Sequence, residues 1–239
     1  MERFIISRDD SIYEAWPDIV LTNTGKLICV FTECESHGKR DLARLVVTES
    51  TDKGRTWSKK IPLTDRGTKD AYYNCARISK LPNGKIVIVC DFSHGEKMDD
   101  ITITHMWTSD DDGKTWVGPS LLPCDGIVPD KYLVLKNGRH IVSTHRLSRV
   151  TSKLEQSLWY SDDNGLTWSD KFIVASDKRY NLCEGSILET KSGDLICYLR
   201  ENSGIGYDCL KTISHDNGET WSEVINVPIP GCHRPVSGY

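Results

Sequence analysis

Charged side chains interrupt stretches that are otherwise apolar and β-prone, and the clearest are Glu184 and Arg200. Glu184 stands ahead of Gly185-Ser186-Ile187-Leu188, and Arg200 closes Leu195-Ile196-Cys197-Tyr198-Leu199, with a Ser192-Gly193 turn between them. A carboxylate can draw the proton of a neighbouring hydroxyl, and a planar guanidinium offers two parallel donors to an anion. Asp18, Arg77, Asp130 and His145 interrupt other short runs in a similar way. Polar and charged groups gathered where strands ought otherwise to be apolar are the default hypothesis for a site. Ion pairs that merely tie strands together are the alternative for any single member.

The elements that would position these groups are written in repeats. The octapeptide Ser-x-Asp-x-Gly-x-Thr-Trp occurs four times, ending at Trp57, Trp116, Trp168 and Trp221, with its serines 59, 52 and 53 residues apart. Its aspartate can accept hydrogen bonds from the backbone that follows, and its glycine supplies positive φ. The tryptophan is expected to fold back as a substantially buried plug. These aspartates hold turns and do no chemistry.

A second repeat runs in step. Two apolar stretches flank Gly25, Asn83-Gly84, Asn137-Gly138 and Ser192-Gly193, a strong hairpin signal. Each unit therefore carries an inner strand, a hairpin, a second and third strand, the box and a fourth strand. Four strands at a period near 50 residues describe a propeller blade. Counting from the turn glycine predicts which residues share a rim. Nine before it lie Trp16, Cys75, Pro129 and Glu184; eight before, Pro17, Ala76, Asp130 and Gly185. Seven before it lie Asp18, Arg77, Lys131 and Ser186; seven after, Thr32, Asp91, His145 and Arg200.

Composition bounds the remaining classes. A net charge of −4 and 38% hydrophobic residues give no preference for nucleic acid or an anionic membrane. The first residues are too few and too charged for a signal peptide, and no run reaches membrane-spanning length. Nine cysteines without zinc-type spacing read as reduced thiols, so a cytoplasmic place is expected, with no metal and no cofactor.

The expected organisation is all-β, a single propeller domain over 1–239 with blades near 10–66, 67–123, 124–178 and 179–230. Residues 231–239 read as the opening strand of a fifth blade, so the chain is expected to be four blades of a larger, six-bladed ring. Open blade edges would then favour self-association.

With boxes and blades in place, the chain resembles the sialidase (neuraminidase) superfamily of six-bladed Asp-box (BNR-repeat) propellers. A closer resemblance is to bacterial sialidase-like proteins, carried by Glu14-Ala15-Trp16-Pro17-Asp18, Arg200-Glu201-Asn202-Ser203-Gly204 and Cys232-His233-Arg234-Pro235. The resemblance implies that Glu184 is the base activating a tyrosine nucleophile and that Arg200 clamps a sugar carboxylate. It also implies a general acid on the loop after the second strand, where Asp41 stands and Glu35 and His37 are the alternatives. Asp18, Arg77, Asp130, His145 and Arg234 are the remaining candidates for contacts with the sugar.

Two departures matter. The family's first arginine belongs to an Arg-Ile-Pro motif, and this chain reads Ala15-Trp16-Pro17 there. The family's nucleophilic tyrosine lies in the last blade, expected beyond Tyr239, so little activity is expected of residues 1–239 alone. The implied partner is a glycan or its terminal acidic sugar. The function expected is a sialidase-like exo-glycosidase, a glycoside hydrolase; the alternative is a non-catalytic propeller that binds glycans or proteins.

Overall fold

The structure, a computed structural model, describes residues 2–94, 102–204 and 209–228. Among the described residues there are sixteen strands and no helix, and every strand belongs to one of four four-stranded antiparallel meanders. The first sheet is β1 (Tyr13–Leu21), β2 (Leu27–Cys34), β3 (Arg44–Ser50) and β4 (Ile61–Pro62). The second is β5 (Ala71–Lys80), β6 (Ile86–His94), β7 (Thr102–Ser109) and β8 (Val117–Asp125). The third is β9 (Leu133–Val134), β10 (His140–Leu147), β11 (Leu154–Ser161) and β12 (Phe172–Ala175). The fourth is β13 (Leu182–Glu189), β14 (Leu195–Glu201), β15 (Cys209–Ser214) and β16 (Ile225–Val227).

The chain divides into two compact units, Met1–Leu122 and Pro123–Tyr239, each built around a pair of sheets. In the first unit Ile28, Val30, Leu45 and Val47 pack against Ala76, Ile78, Ile86, Ile88 and Trp107. In the second, Leu135, Ile141 and Leu158 pack against Leu182, Ile187, Leu195 and Leu199. Strand β6 reads Ile-Val-Ile-Val-Cys without alternation because both of its faces are covered, as in a strand buried on two sides. Strand β14 alternates buried and half-buried residues, which matches one covered face.

Each box closes the same way. Ser50 Oγ donates to Asp52 Oδ1 at 2.8 Å and accepts the Gly54 amide at 2.9 Å. Asp52 then accepts the Thr56 amide at 2.9 Å and the Thr56 hydroxyl at 2.7 Å. Asp111, Asp163 and Asp216 repeat this with Thr115, Thr167 and Thr220. The box glycines take φ between 81° and 94°, which only glycine adopts without strain. The four tryptophans are half-buried rather than substantially buried, because they cap surface turns. Trp57 and Trp221 each donate Nε1 to the carbonyl of their own box glycine at 3.0 Å.

The eight described cysteines are all buried and unpaired in disulfides. Among the described residues no helix is long and apolar enough to cross a membrane.

Candidate functional site

Inner strands β1, β5 and β13 break register at one equivalent place, between Ala15 and Asp18, Asn74 and Arg77, and Cys183 and Ser186. At each break a non-glycine residue is left-handed: Trp16 at φ 52°, Cys75 at φ 47° and Glu184 at φ 49°. Such a residue costs about 1–2 kcal/mol. A conformation repeated on three strands is therefore imposed by its surroundings, and a bulge of this kind re-aims a side chain.

The third sheet carries the same feature one residue away from where counting places it. Val128 is left-handed at φ 49°, and the Asp130 amide donates to the Ser143 carbonyl at 2.9 Å. Leu133 pairs with Ile141, so the stretch from Asp130 to Leu133 holds one residue more than regular pairing allows. Val128-Pro129-Asp130 therefore matches Trp16-Pro17-Asp18, and Asp130 rather than Lys131 is the counterpart of Asp18. The repeated Pro-Asp was the signal in the sequence that a fixed count from the turn glycine overlooked.

Both aspartates hold a backbone amide through one carboxylate oxygen. Asp18 Oδ2 accepts the Ile78 amide at 2.9 Å, and Asp130 Oδ2 accepts the Ile187 amide at 2.8 Å. Each ties one sheet of its unit to the inner strand of the next. Their charge also reaches the core thiols. Burial, with Asp18 nearby, pushes the Cys29 thiol up to about 12. Burial, with Asp130 nearby, pushes the Cys197 thiol well above its usual range.

Around Glu184 the second unit assembles a defined cluster. Arg200 Nη1 donates to Glu184 Oε1 at 2.8 Å, and the two side chains are 22% and 18% exposed. The pair is neither lost in the core nor free in water. Across the strands Arg200 pairs with Cys183, and the bulge that follows swings Glu184 back onto the guanidinium. The Glu184 amide donates to His145 Nδ1 at 3.2 Å, so that nitrogen carries no proton and a neutral His145 ring is protonated at Nε2. The next amide, Gly185, donates to Gln156 Oε1 at 3.1 Å, while Gln156 Nε2 donates to Ser143 Oγ at 3.2 Å. A Cβ on Gly185 would lie 2.7 Å from Gln156 Cδ, so only glycine permits this approach. Gln156 was not foreseen from sequence, since it sits inside an ordinary third strand.

The first unit holds the counterpart. Arg77 is buried, 7% exposed, with Nη1 donating to the Ala76 carbonyl at 2.8 Å. The same nitrogen is 3.5 Å from the Trp16 carbonyl, so the guanidinium braces two bulges. Asp41 lies half-buried in a turn of the loop after β2. That loop is laid over the first bulge: the Arg40 guanidinium is 5.0 Å from the Trp16 ring, and the His37 ring 5.5 Å from it. The structure thus brings Glu184, Arg200 and His145 together and sets Asp130 on the same strand's backbone. Arg77 and Asp18 flank the equivalent bulge of the other unit, and Asp41 lies on the loop clamped by Trp16. Arg234 lies outside the described residues.

A family model described as a BNR repeat-like domain matches residues 25–234. The chain is 26% identical to a sialidase of Clostridium perfringens over 94% of its own length and 53% of that protein's. Among solved structures, it resembles a protein of unknown function from Dyadobacter fermentans at 22% identity and a TM-score of 0.76, over 95% of this chain and 72% of that one. It also resembles the NanB sialidase from Streptococcus pneumoniae at 16% identity and a TM-score of 0.70, over 95% and 54% of the two chains. The chain spans about half the length of the curated relatives it matches. Its four sheets are blades of the sialidase propeller class.

Proposed function

Because the chain belongs to the BNR repeat-like family of the sialidase superfamily, we propose that it provides the substrate rim of a sialidase-like exo-glycosidase, acting on a terminal sialic acid or related acidic sugar. The observation that carries this reading is the half-exposed Glu184–Arg200 pair, built on a strained bulge and braced by His145 and Gln156. Arg200 offers a sugar carboxylate paired donors, one of which, Nη1, Glu184 now engages. Displaced from the guanidinium, Glu184 becomes a base for a tyrosine hydroxyl, whose usual pKa near 10 makes it a poor nucleophile until its proton is drawn. Asp41 serves as the general acid on its clamped loop. Asp18, Asp130 and His145 position the strands, and Arg77 and Arg234 are proposed as further cations for the ligand.

The test is titration of the protein with free N-acetylneuraminic acid, alongside release of 4-methylumbelliferone from its α-sialoside. Arg200→Lys is expected to weaken binding about tenfold, the loss of one bidentate hydrogen bond. Glu184→Gln is expected to retain binding and, in a longer form of the protein that carries the nucleophilic tyrosine, to lose turnover. Binding of the acidic sugar that ignores Arg200→Lys would sink the reading.

One observation favours a second reading, a non-catalytic glycan- or protein-binding propeller. Where the superfamily carries an arginine on the opening strand, this chain has Ala15, buried at 7% exposed. Binding without turnover in any longer form of the protein would select it.

A further inference from the structure

A cleft of about 370 Å³ in the first unit, within the size range of small-ligand sites, lies beside the bulge of β5 and outside the cluster already described. Its floor is aromatic. Trp107 is 3% exposed, Tyr73 stands edge-on to it at 5.2 Å, and Phe92 lies 4.7 Å from Tyr73. These rings are locked from behind: the Tyr73 hydroxyl is 3.1 Å from His105 Nδ1, and Phe92 stacks on the His105 ring at 4.9 Å.

The wall is the connection between β4 and β5, and it is equally fixed. Thr64 Oγ1 accepts the Leu45 amide at 3.0 Å, the Gly67 amide donates to the Ala43 carbonyl at 2.8 Å, and the Thr68 amide donates to the Ala71 carbonyl at 2.7 Å. A Cβ on Gly67 would meet the Ala71 carbonyl at 2.6 Å, and one on Gly118 would meet Trp107 Cδ1 at 2.8 Å. Both glycines are thus required to hold the walls as close as they are.

The blade does not demand this lining. Phe92 stands eight residues after its turn glycine, and Arg146 stands at the same step in the third sheet. There a cleft of about 680 Å³ is lined by aliphatic Leu147, Val150 and Ile173 and by two ion pairs, Arg146 with Asp125 and Lys171 with Glu155. Rings line the cleft at one site, and ion pairs beside aliphatic side chains line it at the other. Trp107 also belongs to the core of the unit with Tyr73 packed against it, so the faces left for a ligand are those of Tyr73 and Phe92.

We infer that the aromatic cleft is a glycan subsite that takes a neutral pyranose ring, its apolar face on Tyr73 and Phe92 and its hydroxyls on the connection. The polar groups at the mouth are the Thr64 and Thr68 hydroxyls, each still able to donate, with Asp65 and Arg66. One acid and one base leave no formal charge, and Arg66 is already engaged, donating to the Leu42 carbonyl at 3.1 Å. An anion would face Asp65, and a wholly apolar ligand would leave these donors and acceptors unused. A sugar ring, apolar on a face and hydroxylated at its edge, matches both surfaces. The inference rests on the glycan reading above but not on hydrolysis.

The probe is lactose, titrated into the protein while the Trp107 indole and the amides of residues 64–68 are followed by NMR. Saturable shifts confined to those groups are expected. Phe92→Ala removes part of the platform, and Ala71→Leu fills the cleft without removing a ring. Each should weaken lactose about tenfold and leave N-acetylneuraminic acid binding at Arg200 unchanged. If Phe92→Ala fails to fold, Ala71→Leu decides alone. No lactose-dependent shift in the wild type, or lactose binding that survives the filled cleft, overturns the proposal. Loss of acidic-sugar binding with lactose binding intact overturns the Arg200 reading instead.

Discussion

The Asp18 carboxylate is hydrogen-bonded to the Ile78 amide at 2.9 Å, across from one blade to the inner strand of the next. Asp130 and Ile187 repeat the arrangement at 2.8 Å in the other unit. A charged acceptor on a buried amide is a strong version of the bond a sheet edge otherwise lacks. Asp18→Ala and Asp130→Ala should each cost about 1–3 kcal/mol, since each leaves a buried N–H unpaired. The two hold different amides in different units, so urea unfolding of the double variant should show nearly additive losses.

Acid should unfold the protein through its boxes. The Thr56 amide and hydroxyl hold Asp52 down at about 2, and the Thr115 hydroxyl and amide do the same for Asp111. The Thr167 hydroxyl and amide hold Asp163 at about 2. At Asp216 burial pushes upward, but Thr220 and Ser214 outweigh it and leave about 2. A carboxylate depressed in the folded state protonates first in the unfolded chain. Its stabilisation is therefore full above the ordinary value of 3.8 and fades as pH falls toward about 2. Thermal midpoints should drop steeply across that window, and Asp163→Asn should make the drop shallower. An unchanged slope in that variant would count against the box as the acid-sensitive element.

The loop that carries Asp41 should depend on Trp16. Arg40 and His37 both lie against its ring, and a cation over an indole contributes about 0.5–1 kcal/mol at an exposed site. Trp16→Ala should speed hydrogen exchange of residues 36–43 several-fold while leaving β2 and β3 protected. Equal exchange in the two proteins would show that the loop holds itself.

Gly185→Ala should disturb the Glu184–Arg200 pair directly. The added methyl would meet Gln156 Cδ at 2.7 Å and Cys197 Sγ at 3.0 Å, with the bulge already strained. Overpacking of this kind costs about 1–3 kcal/mol. Weaker binding of the acidic sugar with a modest fall in thermal midpoint is expected; unchanged binding would mean that the bulge does not position the pair.

Much of the fold was legible because its signals are local. The box spells out its own hydrogen bonds, Ser to Asp and Asp to Thr, within eight residues, and the turn glycines mark each hairpin. Repetition then converts four weak signals into one strong one. The membership of Glu184 and Arg200 on neighbouring strands followed from the hairpin at Ser192-Gly193 alone.

What tertiary structure decided is where register breaks. A bulge depends on which backbone groups the neighbouring sheet offers, such as His145 Nδ1 and Gln156 Oε1 to the amides of Glu184 and Gly185. No count along one strand contains that information, which is why Asp130 fell one residue from its expected row. The same holds for Asp18 and Asp130, whose carboxylates accept amides 60 and 57 residues away, partners that no count along one strand reveals. Sequence by itself determined the elements and their order; the packing of one sheet on the next chose which charged groups hold the backbone.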